Sequence, residues 1–125
     1  MNLHEEIFGK TIELTPYENQ LILMRDDDQR LIGYVLFQLV AGLADLHYLV
    51  VAPRFRRLGY GARLLEAFWI DASDRGAGVL TLEVRCDNQV AIRLYERFGF
   101  EMVHVRKNYY QDGCDAFLMK VEKAR

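Results

Sequence analysis

A cluster of arginines and glycines near the middle of the chain has the residue types that bind an anion. The run from residue 50 to residue 65 begins as an apolar strand, breaks at Pro53 and continues through an arginine-rich turn into an amphipathic helix. Glycines allow a tight turn that brings backbone N–H groups against a ligand, and a helix N-terminus adds unpaired donors and the positive end of its dipole. Four arginines lie within ten residues, in a chain of formal net charge −2: Arg54, Arg56, Arg57 and Arg63. We therefore predict that this turn holds a phosphate group.

Three phosphate-binding patterns compete for this turn, and residue spacing separates them. A dinucleotide fingerprint requires G-x-G-x-x-G, but Leu64 stands at the third glycine position and the arginines precede the glycines. A P-loop ending at residues 9–11 fails because its earlier glycine position is His4, with no room for a preceding strand. The remaining pattern, Arg56-x-x-Gly59-x-Gly61, resembles the pyrophosphate-binding signature of the GNAT superfamily of acyl-CoA-dependent N-acyltransferases.

The second half of the chain carries further segments that resemble this superfamily. Residues 82–100 look like the GNAT segment in which a strand ends at an Asn and a helix runs through A-I-x-L-Y to G-F. Residues 106–110, with the sequence R-K-N-Y-Y, and residues 115–119 are similar to the RimI type, which acetylates the N-terminal alanine of a ribosomal protein. The resemblance covers roughly residues 30–120, and these motifs are specific in combination.

The resemblance implies a role for each matching position. In this family the pantetheine arm of acetyl-CoA pairs with the strand before the arginine loop, which here is Leu49, Val50 and Val51. The pyrophosphate would lie on the loop and the first helical turn, formed by Arg56, Arg57, Leu58, Gly59, Tyr60, Gly61 and Ala62. A second set of positions matches the cofactor-contacting Asn, the proposed base, the proposed acid and the tyrosine pair beside the acceptor peptide: Asn88, Glu83, Tyr95, and Tyr109 with Tyr110.

The chemistry requires such a base and acid, yet each position also has a simpler structural interpretation. A protonated amine cannot attack a thioester, so a base must remove its proton and an acid must quench the leaving thiolate. Glu83, on the polar face of its strand, could instead pair with Arg85 or with a neighbouring strand, and Tyr95 could be a core aromatic. His47 is an alternative base, although a lone histidine in an apolar strand is more often structural. The remaining structural interpretations are a helix cap for Asn88, hairpin packing for Tyr109 and Tyr110, and solvated surface for Arg54 and Arg63.

Apolar periodicity and turn residues predict the elements that would position these side chains. The pattern predicts strands over 20–25, 31–40, 45–51, 79–86, 100–108 and 115–121, and helices over 61–75 and 89–98. The charged run 25–30 is typical of a hairpin turn, Asn88 of a helix cap, and Gly99 of a helix C-terminus. The resemblance implies an α/β (α+β) GNAT fold, with a mixed, mostly antiparallel twisted sheet flanked by helices. Segment 1–19 is short for the strand and helices that usually shape the acceptor pocket, so we expect a shortened N-terminal region.

Composition favours one ordinary globular domain, spanning residues 1–125, and argues against several classes. The chain is 51% apolar and 27% charged, and its most apolar stretch, 31–44, is shorter than the roughly 20 residues of a membrane span. Acidic Glu5 and Glu6 stand where a signal peptide would be basic, so we expect a cytoplasmic protein without a membrane partner. Cys86 and Cys114 form no C-x-x-C and are expected to be reduced and partly packed, and the histidines show no metal-site spacing. A pI near 5.9 argues against nucleic-acid binding.

The resemblance implies an acetyl-CoA-dependent N-acetyltransferase, and we expect its acceptor to be the N-terminal α-amine of a protein or peptide. An α-amine has a pKa of about 7.7–8.0, against about 10.4 for lysine, so a carboxylate base relayed by water is adequate for it. One alternative keeps the fold and acetylates a small-molecule amine. Another is a non-catalytic acyl-CoA-binding regulatory module, against which the intact Glu83 and Tyr95 argue. Both a monomer and a homodimer fit the sequence.

Overall fold

The computed structural model describes residues 19–122, which form a six-stranded sheet and two helices. The strands are β1 (Asn19–Arg25), β2 (Leu31–Val40), β3 (Leu43–Val51), β4 (Val79–Arg85), β5 (Glu101–Arg106) and β6 (Ala116–Glu122). The helices are α1 (Tyr60–Asp74) and α2 (Gln89–Arg97), and a short 3₁₀ turn, Pro53–Phe55, precedes α1. Every predicted strand and helix is confirmed in type and order, with ends that differ by at most two residues. The prediction for segment 1–19 lies outside the described residues except for Asn19.

The strand order is β1-β2-β3-β4-β6-β5, and only the β3–β4 pairing is parallel among the described strands. This arrangement confirms the mixed, mostly antiparallel sheet. The final hairpin is also confirmed, with β6 inserted beside β4 and β5 at the edge of the sheet. A parallel pair needs a crossover connection, and α1 supplies it between β3 and β4.

Both helices contribute to one hydrophobic core. The apolar stripe of α1 is buried through Leu64, Leu65, Phe68 and Ala72, as its spacing predicts. Leu80, Leu82 and Val84 of β4 alternate toward the same core, and Trp69 of α1 contacts the rings of Phe98 and Phe100 beyond α2. The intervening residues of β4, Thr81, Glu83 and Arg85, therefore point to the opposite face of the sheet.

The charged connection between β1 and β2 is a hairpin turn, as predicted. Asp26 Oδ1 accepts hydrogen bonds from the backbone N–H groups of Asp28 and Arg30, both at 2.9 Å. The Asp26 carboxylate also pairs with the Arg30 side chain at 2.7 Å. These contacts hold the Asp26 carboxylate within its own turn.

The two parallel strands, β3 and β4, are paired over only part of their length. The ladder of β3 and β4 runs from the pair Leu43–Val79 to the pair Leu46–Leu82 and ends there. An irregularity in the register between β2 and β3 occurs at the same level, where Phe37 pairs with Leu46 and Leu36 with Tyr48. His47 is thus the extra residue of a bulge, and bulges bend a strand away from its neighbour. Beyond it β3, including Leu49–Val51, no longer pairs with β4, and this unpaired stretch between the two strands is called the gap below.

Candidate active site

The two glycines of the arginine loop differ in backbone conformation and in the space around them. Gly59 is the N-cap of α1 and has a φ of +85°, a left-handed conformation that L side chains rarely adopt. A Cβ built on Gly59 would have no atom within 4 Å, so this position faces open space. A Cβ on Gly61 would instead lie 3.5 Å from Leu94 Cδ2, which places Gly61 at the contact between α1 and α2. The space for a ligand therefore lies over Gly59.

The arginines of the loop divide into two groups. Arg56 donates from Nε to the carbonyl of Val51 at 3.0 Å, which ties the loop to the end of β3 and leaves further guanidinium N–H groups for an anion. Arg54 lies 5.3 Å from the centre of the Phe55 ring, and Arg63 lies 5.6 Å from that of Tyr60. Those two stack on aromatic rings at the surface. The exposed Arg57 and Leu58 lie directly before Gly59.

Asn88 caps α2, as its position predicts. Its Oδ1 accepts a hydrogen bond from the backbone N–H of Ala91 at 3.2 Å. Gly99 follows the helix with a φ of +96°, which agrees with its predicted role at the C-terminus. Because the capping bond uses only the side-chain oxygen, the Asn88 amide nitrogen is still able to donate to a ligand.

Glu83 pairs with an arginine, but not with the one that its strand suggests. The carboxylate lies 3.5 Å from Nε of Arg106 on β5, and the Glu83 side chain is 31% exposed. Arg85 instead contacts Asp87 at 3.2 Å and Asp112 at 2.6 Å. Of the two predicted structural alternatives, the ion pair of Glu83 with Arg85 is wrong, because the turn after β4 and the loop before β6 bring two closer carboxylates to Arg85. The other alternative, a partner on another strand of the sheet, agrees with the contact to Arg106 on β5.

Tyr95 is buried on the core side of the sheet. Its ring packs against Phe100 with 6.0 Å between centroids, and 9% of the residue is exposed. Burial raises the pKa of Tyr95 to about 12, because the phenolate would lose its hydration. The hydroxyl is therefore protonated at neutral pH, the state that a proton or hydrogen-bond donor requires. The core-aromatic interpretation is correct for the ring, and it is compatible with a role for the hydroxyl.

A cavity of about 380 Å³ lies on the Glu83 face of the sheet. Its polar lining includes Asp45, Thr81, Glu83 and Arg106, while apolar side chains such as Val40 and Val103 complete it. Asp45 accepts a hydrogen bond from the Thr81 hydroxyl at 2.6 Å and lies 3.2 Å from Nε2 of His47. His47, the alternative base, is thus engaged by Asp45 and is not among the described residues that line the cavity.

Sequence reasoning did not single out three of these polar residues. Thr81 could have been found, because it lies two residues before Glu83 and a strand has a period of two. Arg106 opens the R-K-N-Y-Y segment, but the position of Arg106 and of Asp45 at the cavity could not be predicted. These residues reach the cavity through the bulged pairing of β5 with β6 and the parallel pairing of β3 with β4, respectively. Strand order and register are tertiary properties that no local pattern in these segments specifies.

The tyrosine pair lies in the loop between β5 and β6. The Tyr109 and Tyr110 rings meet edge to face at 5.1 Å, Arg106 lies 5.5 Å from the Tyr109 ring, and Arg85 lies 4.7 Å from the Tyr110 ring. Tyr109 is half exposed. Arg106 therefore contacts both the Glu83 carboxylate and Tyr109, which links the candidate base to the candidate acceptor-binding loop.

Two kinds of feature are absent from residues 19–122. Within that range, His, Cys, Asp and Glu side chains form no group of three or more that could hold a metal ion. Neither α1 nor α2 is long and apolar enough to cross a membrane.

Comparison with known proteins identifies the family of the chain. The Acetyltransferase (GNAT) family profile matches residues 3–100. The chain is 39% identical over 105 residues to the ribosomal protein bS18-alanine N-acetyltransferase of Salmonella typhimurium, covering 82% of this chain and 71% of that protein. The crystal structure of the ribosomal-protein-S18-alanine N-acetyltransferase from Escherichia coli superposes with a TM-score of 0.82 at 32% identity, over 89% of this chain and 73% of that one.

A third solved structure shares the fold at lower identity. It is a GNAT family acetyltransferase from Elizabethkingia anophelis with acetyl-CoA bound, and it has a TM-score of 0.78 and 20% identity, over 85% of this chain and 77% of that one. The arginine loop, the separated parallel strands and the family match lead to the same assignment. The chain belongs to the GNAT acetyltransferase family, whose members are enzymes that use acetyl-CoA as co-substrate.

Proposed function

We propose that this chain acetylates the N-terminal α-amine of a protein or peptide. One observation carries the proposal: the Glu83 carboxylate lines a cavity on the open face of the sheet, beside the level at which β3 and β4 separate. An amine that enters the cavity can thus meet both a carboxylate and the gap between the strands. The similarity to bS18-alanine N-acetyltransferases supports a ribosomal protein with an N-terminal alanine as the acceptor.

The residues present fit acetyl-CoA, which supplies the acetyl group as a thioester. The gap beside β3 presents the backbone of Leu49, Val50 and Val51 at an inner strand edge, to which an extended chain can add by β-augmentation. The open space over Gly59 and the exposed Arg57 and Leu58 offer a place for the pyrophosphate at the N-terminus of α1, beside Arg56, Tyr60, Gly61 and Ala62. Asn88 would donate from the amide nitrogen that its capping bond leaves unused.

Glu83 would accept the proton of the attacking amine, directly or through one water molecule. An α-amine with a pKa of about 7.7–8.0 is mostly protonated at neutral pH but loses its proton readily, so the base does not need unusual strength. In the free protein Arg106 lies against the carboxylate at 3.5 Å. The amine must therefore displace or share this ion pair, and we infer that Arg106 positions Glu83 until the acceptor arrives.

Tyr95 would donate a hydrogen bond to the sulfur that departs. Complete proton transfer from a group with a pKa of about 12 to a thiolate of ordinary pKa, about 8.5, is uphill by about 5 kcal/mol. A hydrogen bond from the neutral hydroxyl stabilises the developing negative charge without that cost. The proposed acid therefore acts chiefly as a donor that stays protonated, and water completes the proton transfer.

The acceptor groove would be completed by the loop that carries Tyr109 and Tyr110. Tyr109 is half exposed and stacks on Arg106, so it offers an aromatic surface at the edge of the cavity. We propose the cytoplasm as the place of the reaction, since a ribosomal acceptor and acetyl-CoA would both be present there.

A panel of acceptors tests the proposed function. Acetyl-CoA is offered with a peptide that begins with alanine, a peptide that begins with a bulky residue, a polyamine and an aminoglycoside, and the products are identified by mass. We expect acetylation of the alanine peptide above all others. Turnover of a small amine without any peptide product would favour the small-molecule alternative, and CoA binding without any turnover would favour the regulatory module.

A further inference from the structure

Two cysteines that are distant in sequence meet beside the candidate acceptor loop. Cys86 directly follows β4, Cys114 lies shortly before β6, and their Sγ atoms are 2.8 Å apart. Both are free thiols and partly buried, and the partial burial agrees with the expectation from the sequence. The sequence contains two cysteines in all, so neither thiol has a competing partner within the chain. Their proximity was not predictable from their spacing.

The surrounding contacts hold the two thiols in this position. The backbone N–H of Cys86 donates to the carbonyl of Asp115 at 2.9 Å, and that of Cys114 donates to Asp112 Oδ1 at 3.1 Å. Asp112 in turn pairs with Arg85, the residue before Cys86, at 2.6 Å. A disulfide requires about 2.05 Å between the sulfurs, so a shift of less than about 1 Å brings them to bonding distance. The described residues add no third ligand that would make the pair a metal site.

We propose that Cys86 and Cys114 form a reversible disulfide that holds the 107–115 loop and weakens acceptor binding. The oxidant is a small-molecule disulfide of the glutathione class. One cysteine thiolate attacks a sulfur of this oxidant, forms a mixed disulfide and releases one thiol. The second cysteine then attacks its neighbour's sulfur and releases the second thiol. Two cysteine thiols are oxidised and one small disulfide is reduced to two thiols. The two protons of the cysteine thiols are carried by the two small thiols that are released.

The position of the 107–115 loop explains why a disulfide that locks this loop would weaken acceptor binding. Tyr110 donates its backbone N–H to the carbonyl of Cys114 at 3.1 Å, so fixing Cys114 also fixes the tyrosine pair. Tyr109 stacks on Arg106, and Arg106 lies against Glu83. An acceptor amine must displace Arg106 from the carboxylate, and a locked loop hinders that movement. Acetyl-CoA would bind at the β3 edge, the N-terminus of α1 and Asn88. Asn88 lies two residues after Cys86, but none of these cofactor-binding residues belongs to the 107–115 loop.

The first test detects the disulfide and measures the rate of proteolysis in the loop, and it requires no enzyme activity. The full chain is incubated with oxidised glutathione, and the product is mapped by mass spectrometry without reduction. We expect an intramolecular link between the Cys86 and Cys114 peptides, with the loss of two hydrogens and reversal by dithiothreitol. Cleavage by a lysine-specific protease after Lys107, whose side chain is 79% exposed, should slow at least about fivefold on oxidation. The Cys114→Ser variant, treated in the same way, should show no slowing.

The second test measures kinetics and rests on the proposed function. Oxidation should raise KM for an alanine peptide by at least about fivefold and change KM for acetyl-CoA by less than about twofold. The proposed lock would be overturned if oxidation gave mixed disulfides or intermolecular dimers and no intramolecular bond, or if cleavage after Lys107 were unchanged. An intramolecular bond that leaves the peptide KM unchanged would overturn its effect on the acceptor. If no peptide is turned over in either redox state, the proposed function fails, and the bond and cleavage measurements still decide the lock.

Discussion

Replacement of Gly59 by alanine separates the conformational role of this glycine from its role in binding. The φ of +85° places a non-glycine residue in the left-handed region, which costs about 1–2 kcal/mol. We therefore expect Gly59→Ala to lower the free energy of unfolding by about that amount. A Cβ there meets no protein atom within 4 Å, so no steric clash adds to the cost. The new methyl group would instead occupy the space proposed for the pyrophosphate, and overpacking of this kind costs about 1–3 kcal/mol of binding.

Gly61→Ala is the matched control within the same motif. Its Cβ would make an ordinary contact with Leu94 Cδ2 at 3.5 Å, and alanine gains up to about 1 kcal/mol over glycine in a helix. Urea denaturation should therefore show opposite signs for the two variants. Titration calorimetry with CoA should show binding that is weaker by about 5-fold to 150-fold for Gly59→Ala and little changed for Gly61→Ala. If Gly59→Ala binds CoA as tightly as the unaltered chain, the cofactor does not lie over this glycine.

Three further predictions concern the candidate catalytic residues and the acceptor loop. Glu83→Gln should lower kcat by about 10²–10⁴ and leave the Kd for acetyl-CoA unchanged, and unaltered turnover from pH 6 to 9 would exclude Glu83 as the base. Burial raises the pKa values of Tyr34 and Tyr95 to about 12. These tyrosines therefore ionise in the unfolded chain before they ionise in the folded protein as pH rises above 10. The free energy of unfolding should fall by about 2–3 kcal/mol per tyrosine between pH 10 and 12. In urea titrations, Tyr95→Phe should remove the contribution of one tyrosine to this fall. Tyr109→Ala should raise KM for an alanine peptide more than KM for acetyl-CoA in steady-state assays, and Arg106→Gln should raise it as well; equal changes in both constants would contradict an acceptor role for the loop.

Local sequence patterns were sufficient for the elements and for the residues that lie on one element. The period-two alternation of β4 placed Glu83 on the open face, and the α1 stripe and the Asn88 cap followed from helical spacing and capping chemistry. The arginine loop was predictable because its chemistry is local: glycines, arginines and a helix N-terminus in one short segment.

Contacts between distant segments were not predictable in the same way. The partner of Glu83 is not the nearby Arg85, because the loop before β6 supplies Asp112 to Arg85. Its partner is Arg106 of β5, which lies beyond strand β6 in the sheet. The cysteine pair, likewise, depends on that loop returning to the end of β4. The bulge at His47 also escaped prediction, since a register shift between two strands leaves no mark in either strand alone.

The position of the transferred acetyl group tests the central claim most directly. A peptide that begins with a free alanine and contains an internal lysine is incubated with acetyl-CoA and the enzyme, and tandem mass spectrometry locates the added group. We predict acetylation of the alanine α-nitrogen alone, and no product from the same peptide when its N-terminus is blocked. Acetyl groups on the lysine, or turnover of the blocked peptide, would contradict an N-terminal acetyltransferase.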